Sequence, residues 1–210
     1  MRVALVLARK ESKRIKNKNR KNFCGKPMLY WPISTLKKTR FFDKIFVSTD
    51  CTITANLAKK YSAEVPFLRE KRFCSDKMGT LSVVQNFLRK IKKNKKLKIE
   101  SLCCVYASSP FFTVKDIKES YQVLIKKKKD FVFLSTKTNN IFLRSFEFKK
   151  NKIKLINEKF AKFRSQDLPE SYIDCGQFYW AKKSIWLRKN AIYTNNAYAL
   201  RRDKKSYIDI

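Results

Sequence analysis

Short apolar runs rich in β-branched residues alternate along this chain with segments of helical periodicity, and that alternation limits the fold more than any other feature. Met1–Ala8 (MRVALVLA), Lys44–Ser48 (KIFVS), Leu102–Tyr106 and Asp130–Ser135 read as strands, the first of them a parallel strand buried on both faces. Ala63–Leu68 is a further extended piece. Leu29–Lys38, following Pro27, has the spacing of a helix that buries one face, as do Ile53–Tyr61, Leu81–Ile91 and the stretch near Val114–Ile125. Strands and helices alternating at this spacing predict an α/β fold, doubly wound around a mainly parallel sheet. Sheets of that kind bind ligands beyond the carboxyl ends of their strands, at the point where strand order reverses. The polar loops at Arg9, Asp50, Arg69 and Ser108 all leave strand ends and are expected to converge there. From Asn139 to Asp167 the alternation blurs, and Arg144–Phe148 with Lys152–Ile156 reads as a hairpin around Lys149-Lys150-Asn151, an excursion from the main sheet. The 210 residues suit one domain, 1–210, with 139–168 as that excursion.

Composition narrows the chemistry. The chain has no His, which removes Ser/His/Asp triads, Cys/His dyads, His zinc sites and an imidazole base. Carboxylates, Lys, Arg, hydroxyls or a metal must do whatever is done. The six Cys show no C-x-x-C spacing, and Cys103-Cys104 sits inside an apolar run, so reduced structural thiols are expected rather than a metal or redox centre. Lys and Arg number 50 against 17 Asp and Glu, for a formal charge of +33. Such charge ordinarily suggests nucleic acid. Here the basic residues are spread through the chain, as in Arg89–Lys98 and Lys126–Lys129, and Lys, Asn, Ile and Phe are abundant together, the pattern of an AT-rich coding bias. No RRM, KH, zinc-finger or helix-turn-helix pattern accompanies them, so no nucleic-acid partner is expected, although a polyphosphate would be drawn in. No apolar run approaches the roughly 18 residues of a membrane span. Met1–Leu7 is too short for a signal peptide, and its basic run follows rather than precedes it. The expectation is a soluble, cytoplasmic protein with no membrane partner.

The loop Arg9-Lys10-Glu11-Ser12-Lys13-Arg14 leaves the first strand without a glycine, so neither a Walker A loop nor a dinucleotide fingerprint fits. Two readings stand: a basic, hydroxyl-bearing loop that grips a triphosphate through cations and backbone N–H groups, or a solvated basic loop.

Read as an ordered set, several blocks resemble a known family. They are Ala8-Arg9-x-x-Ser12-Lys13-Arg14-Ile15 with Lys18-Asn19; Phe23-Cys24-Gly25-Lys26-Pro27-Met28; Val47-Ser48-Thr49-Asp50; Ala63–Arg69; and Asp76 with Gly79-Thr80. Cys103–Phe111 (CCVYASSPF), Arg164–Leu168 and Asp174-x-Gly176-Gln177-Phe178-Tyr179-Trp180 follow. The set, which spans almost the whole chain, is similar to the cytidylyltransferases that activate nonulosonic, or sialic-type, acids. Gln166-Asp167-Leu168 and Gly176–Trp180 place it nearer the pseudaminate-activating branch than the N-acetylneuraminate one. The resemblance implies a nucleotide-diphospho-sugar transferase-like sheet, a homodimer formed through the excursion, and a reaction in which CTP and a nonulosonic acid give the CMP-sugar and pyrophosphate with Mg²⁺ as cofactor. Positioning and fixed cations then supply the catalysis, with no covalent protein nucleophile.

By position, the resemblance gives Arg9, Ser12, Lys13 and Lys18 to the triphosphate, with Lys13 catalytic. Asn19, Arg69 and Thr80 lie along cytidine, Arg69 otherwise being a surface cation beside a strand. Tyr106 falls where some relatives carry a sugar-contacting Gln; the alternative is an ordinary strand-end aromatic. Arg164 and Gln166 face the acid sugar, since a guanidinium matches a carboxylate bidentately. Gln177, Phe178 and Tyr179 form the sugar-side wall or are simply core. Asp174 is either a site carboxylate or a brace for Arg164. Asp209 is the expected metal ligand and second catalytic residue, against the plain reading of an exposed terminal Asp. Departures from the family pattern are Lys10-Glu11 where relatives usually carry two glycines, Ile173 in place of a His, and Tyr207-Ile208-Asp209 where the family has Asp-Ile-Asp, the chain then ending at Ile210 before the family's C-terminal helix. They leave open a diverged or truncated homologue that binds nucleotide without efficient turnover.

Overall fold

The structure, a computed structural model, describes residues 1–12, 14–75, 77–92 and 97–203. In chain order its strands are β1 (Arg2–Leu7), β2 (Asn22–Phe23), β3 (Lys26–Pro27), β4 (Lys44–Ser48), β5 (Ser101–Tyr106), β6 (Val132–Thr138), β7 (Phe146–Lys149), β8 (Lys152–Leu155), β9 (Ser171–Lys182) and β10 (Tyr198–Arg202). The helices are α1 (Tyr30–Lys38), α2 (Thr52–Lys60), α3 (Thr80–Ile91), α4 (Val114–Lys126) and α5 (Lys183–Arg188). Six strands form one sheet in the order β10-β6-β9-β5-β1-β4. The pairs β1/β4, β1/β5 and β6/β10 are parallel, and β9 runs against both its neighbours. The doubly wound α/β expectation holds, with one reversed strand inside the sheet.

The sequence of β1 explains its central place. Val3 and Leu5 enter the core on one face of the sheet, Ala4 and Val6 the core on the other, and all four are fully buried. A strand covered on both faces has no polar side, which is why its sequence is apolar without alternation. Ile33 and Leu36 of α1, Ala58 of α2 and Ile117 and Leu124 of α4 cover the face of Ala4 and Val6. Val84, Phe87, Leu88 and Ile91 of α3 cover the other, together with Ile185 and Trp186 of α5. Helix α4 begins at a capping box: the Thr113 hydroxyl accepts from the Asp116 N–H, and the Asp116 carboxylate accepts from the Thr113 N–H. The same carboxylate pairs with Arg202, tying the end of β10 to that helix.

Three elements depart from the sequence pattern. Residues 63–68 are extended, but only Glu64 pairs, with Phe46, before Pro66 removes a backbone donor. Strand β10 (YALRR) carries no signal in the sequence pattern, because a short basic edge strand lacks the apolar run of an inner one. Strand β9 carries a bulge: its pairing with β6 passes from Phe133↔Tyr179 directly to Ser135↔Asp174. Gly176 sits in the excess segment with φ +60, a left-handed conformation that glycine adopts without a Cβ penalty. Cys175 and Phe178 consequently enter the same core, although simple alternation would send them to opposite faces.

A hairpin forms within residues 139–168. Strands β7 and β8 pair antiparallel through Lys150-Asn151, both with positive φ, as a two-residue hairpin turn requires. Phe148 and Ile153, directly opposite each other, are 77% and 63% exposed. Among the described residues no helix is long and apolar enough to cross a membrane.

Candidate active site

Strand β1 leads to β4 on one side, and the chain later returns to place β5 on its other side, so strand order reverses between β1 and β5. A cleft of about 730 Å³ opens there, at the carboxyl ends of both strands. Its cationic side is the loop after β1, which contributes Arg9, Ser12, Arg14, Lys18 and Asn19 together with the acidic Glu11. The loop is held by its own polar groups. Asn19 Nδ2 donates to the Arg9 carbonyl at 2.8 Å, Asp50 Oδ1 accepts from the Lys10 N–H at 2.7 Å, and Ser12 Oγ accepts from the Ile15 N–H at 3.4 Å. Asn19 thus shapes the loop as well as lining the cleft.

Arg69 reaches the same cleft from the segment beyond residues 63–68 and is 8% exposed, so the surface-cation alternative does not hold. Its Nε donates to Ser48 Oγ at 3.0 Å and its Nη2 to the Ser48 carbonyl at 2.6 Å. Burial lowers its pKa, and the neighbouring Arg9 charge acts in the same direction. Two guanidinium groups facing one cleft favour an anion between them.

The opposite wall is phenolic. Because β9 runs backwards, its amino half lies at the carboxyl ends of the other strands and brings Asp174 into the cleft. One Asp174 oxygen accepts the Gly176 N–H at 2.8 Å; the other accepts the hydroxyls of Tyr179 and Tyr193, each at 2.6 Å. Tyr106, at the end of β5, meets the Thr80 hydroxyl at 2.5 Å and lies edge-on to the ring of Tyr179, centroids 5.9 Å apart. Burial raises the pKa of Tyr106 and Tyr179, and burial with the Asp174 hydrogen bond pushes Tyr193 up to about 12. All three phenols keep their protons around neutrality. Asp174→Asn sets an amide against three donors, and we expect it to cost about 1–3 kcal/mol of stability in thermal unfolding. Tyr193→Phe, which loses one partly exposed contact, is expected to cost less; an unchanged Asp174→Asn melting temperature would contradict the arrangement.

Of the residues singled out in the sequence, Arg9, Ser12, Lys18, Asn19, Arg69, Thr80, Tyr106 and Asp174 line this one cleft. Lys13 and Asp209 lie outside the described residues, as does Asp76. The other four are placed elsewhere. Arg164 and Gln166 are exposed on the excursion, where Arg164 pairs with Asp167 at 2.6 Å; Asp174 is therefore no brace for it. Phe178 is fully buried beside Phe112, with ring centroids 5.7 Å apart, and Gln177 is 4% exposed. Neither lines the cleft, whereas Asp174, Cys175, Gly176 and Tyr179 of the same block do. Tyr193 had no sequence signal, since it lies between α5 and β10 outside any patterned segment. The six Cys are free, four of them buried, and burial raises the pKa of Cys103 and Cys104, as expected of structural thiols.

The cytidylyltransferase family description matches residues 3–207. A pseudaminic acid cytidylyltransferase of Campylobacter jejuni is 31% identical over 192 residues, 91% of this chain and 82% of the relative. A Helicobacter pylori protein, a pseudaminic acid cytidylyltransferase and UDP-2,4-diacetamido-2,4,6-trideoxy-beta-L-altropyranose hydrolase, is 34% identical over 200 residues, 94% of this chain and 38% of that longer one. Among solved structures, a CMP:2-keto-3-deoxy-manno-octonic acid synthetase complexed with CTP superposes with a TM-score of 0.70 at 10% identity, covering 96% of this chain and 90% of the other.

Proposed function

Since the chain belongs to the cytidylyltransferase family and is a CTP-dependent nucleotidyltransferase that forms a CMP-sugar, we propose that the acid it activates is pseudaminic acid. The names of the relatives, at 31% and 34% identity, support that choice over N-acetylneuraminate. The anomeric hydroxyl of the acid attacks the α-phosphorus of CTP; its bond to phosphorus forms as the bond to pyrophosphate breaks. The observation that carries the residue roles is the charge division of the cleft. Arg9, Ser12 and Lys18, with Lys13 from the same loop, hold the triphosphate; Arg69 and Thr80 lie along cytidine, and Asn19 keeps the loop in shape. Tyr106 and Asp174 belong to the sugar side. Fixed cations that neutralise the departing pyrophosphate need no reorganisation at the moment of reaction.

Cytidylyltransferases of this kind use a divalent metal, and we assign Mg²⁺. Among the described residues no group of three acidic or thiol side chains could hold it, and Asp174 already accepts three donors. The described residues alone therefore do not fit a metal site, and we leave Asp209 as the proposed ligand, expecting Asp209→Asn to raise the Mg²⁺ needed. The exposed apolar residues of the excursion, Phe142, Phe146, Phe148 and Ile153 among them, support a homodimer in which Arg164 and Gln166 meet the acid in the other subunit's cleft. The protein works in the cytoplasm, where CTP is available.

Purified protein supplied with CTP, Mg²⁺ and a panel of nonulosonic acids is expected to release pyrophosphate fastest with pseudaminic acid. Equal or greater release with N-acetylneuraminic acid would reassign the substrate. One observation favours a second reading, that of nucleotide binding without efficient turnover: Glu11 places a carboxylate among the phosphate-side cations. CTP binding without pyrophosphate release from any acid would establish it.

A further inference from the structure

The basic residues are spread along the sequence, yet the fold gathers many of them on one face. Helices α1, α3 and α4 each run back from the cleft to the amino end of the strand that follows, and α2 runs back to the extended segment at Glu64, so all four finish at the edge of the sheet opposite the cleft. Lys38, Lys60, Arg89 and Lys126 stand in their last turns. A cation there suits the negative end of the helix dipole and needs no other account. The charge continues past the helices, however: Lys127 and Lys128 follow α4, and Lys182, the register partner of Ser101, brings the carboxyl end of β9 to the same edge. All of these cations are exposed, and among the described residues none pairs with a carboxylate. The carboxylates of this edge are already engaged. Asp43 accepts the Arg2 N–H, Glu64 pairs with Lys44, Glu100 with the amino terminus and Asp130 with Lys189.

We propose that this face is a docking surface for an anionic lipid bilayer, on which the protein adsorbs with its cleft turned away from the lipid. A field of one sign on one face repels itself, and a surface of fixed anions relieves that cost. The face consists of helix ends and connections, with no helix or ribbon among the described residues projecting to enter a groove of duplex nucleic acid. Its aromatic rings are engaged: the Arg2 guanidinium lies over Phe41 at 4.1 Å and over Tyr121 at 5.8 Å, and the Lys127 ammonium lies over Tyr198 at 4.6 Å, so these rings are not platforms for single-stranded bases. Ile125, 41% exposed, instead stands beside Lys126, Lys127 and Lys128, an apolar side chain framed by cations as a headgroup boundary requires. Anionic lipids give the cytoplasmic leaflet the matching charge. Adsorption of this kind needs no spanning helix. It departs from the expectation of no membrane partner because the gathering of charge belongs to the fold and to no single segment.

The test is cosedimentation of the full chain with lipid vesicles at physiological ionic strength. Binding is expected to vesicles of equal parts phosphatidylcholine and phosphatidylglycerol, and not to phosphatidylcholine alone. Each Lys near an anionic surface strengthens adsorption about fivefold, so Lys126→Glu combined with Lys127→Glu and Lys128→Glu is expected to weaken it about a hundredfold or more. Lys38→Glu with Lys60→Glu, on two other helices of the same face, is expected to weaken it roughly twenty-five-fold. A control with the same total charge as the triple variant, Lys71→Glu with Lys118→Glu and Lys162→Glu, changes exposed cations away from this edge and is expected to keep wild-type binding. None of these residues lines the cleft, so calorimetric titration with CTP verifies that each variant is folded. Wild-type protein that stays off the mixed vesicles, or a control that loses as much binding as the triple variant, would overturn the inference. A chain that ignores the vesicles but binds a labelled RNA through Lys126, Lys127 and Lys128 would overturn it as well and give the face to nucleic acid.

Discussion

Replacing Arg69 with Met is expected to lower the affinity for CTP about a hundredfold while changing the stability of the ligand-free chain little. The two halves of that expectation have different origins. A buried guanidinium is poorly screened, and a charge-assisted hydrogen bond from it to an acceptor on the nucleotide is worth about 1.5–3 kcal/mol, so losing it costs close to two powers of ten in Kd. Without ligand, the same charge sits beside Arg9 in a site that already disfavours it, as its lowered pKa reports. Met removes that unfavourable charge and also the two bonds to Ser48, and the two effects oppose each other. The measurements are calorimetric titration with CTP and the shift in melting temperature that CTP induces, which is expected to vanish in the variant. Binding within threefold of wild type would take Arg69 out of the nucleotide site.

Phe148→Lys combined with Ile153→Lys is expected to convert a dimer at micromolar concentration into a monomer. The two residues are a cross-strand pair on an exposed hairpin, and burying each contributes about 1.5–3 kcal/mol on the area scale. A two-fold interface counts each residue twice, so the loss exceeds a thousandfold in the dissociation constant before the repulsion of added charges in a chain of +33 is included. Sedimentation velocity reads the mass directly. CTP binding is expected to persist, since the nucleotide-side residues belong to one chain, while the KM for the acid rises with the removal of Arg164 and Gln166. Wild-type protein that sediments as a monomer would end the dimer proposal at once.

The parts of this fold that were legible in the sequence are those in which local pattern and burial agree. Strand β1 declared itself because a strand covered on both faces has no room for polar residues, and α3 because its apolar residues repeat along a single face. Helix limits came within a residue or two for α1, α2, α3 and α4. The cationic side of the cleft was legible too, since a loop leaving a central strand has only one place to go. The remainder depended on context that no local window contains. Gln177 and Phe178 share a block with Tyr179, and no local pattern tells that only Tyr179 of the three lines the cleft. Arg69 looks like any strand-side cation until the fold closes over it. Tyr193 earns its position from a partner, Asp174, that lies far from it in pattern though near in space.

The bulge at Gly176 also bears on how such a cleft can change over time. Downstream of it, Phe178 and Trp180 are locked into the core, with Trp180 stacked on Phe42 at 5.3 Å, and little there can vary without repacking. Upstream, the Ile173 side chain lines the cleft and is 39% exposed. The extra residues uncouple the two halves, much as a hinge lets one leaf of a door be rehung without moving the frame. Exchanging the side chains of residues 171–173 can therefore remodel the substrate wall while the sheet beneath keeps its packing, and one strand serves both as scaffold and as the replaceable lining of the cleft.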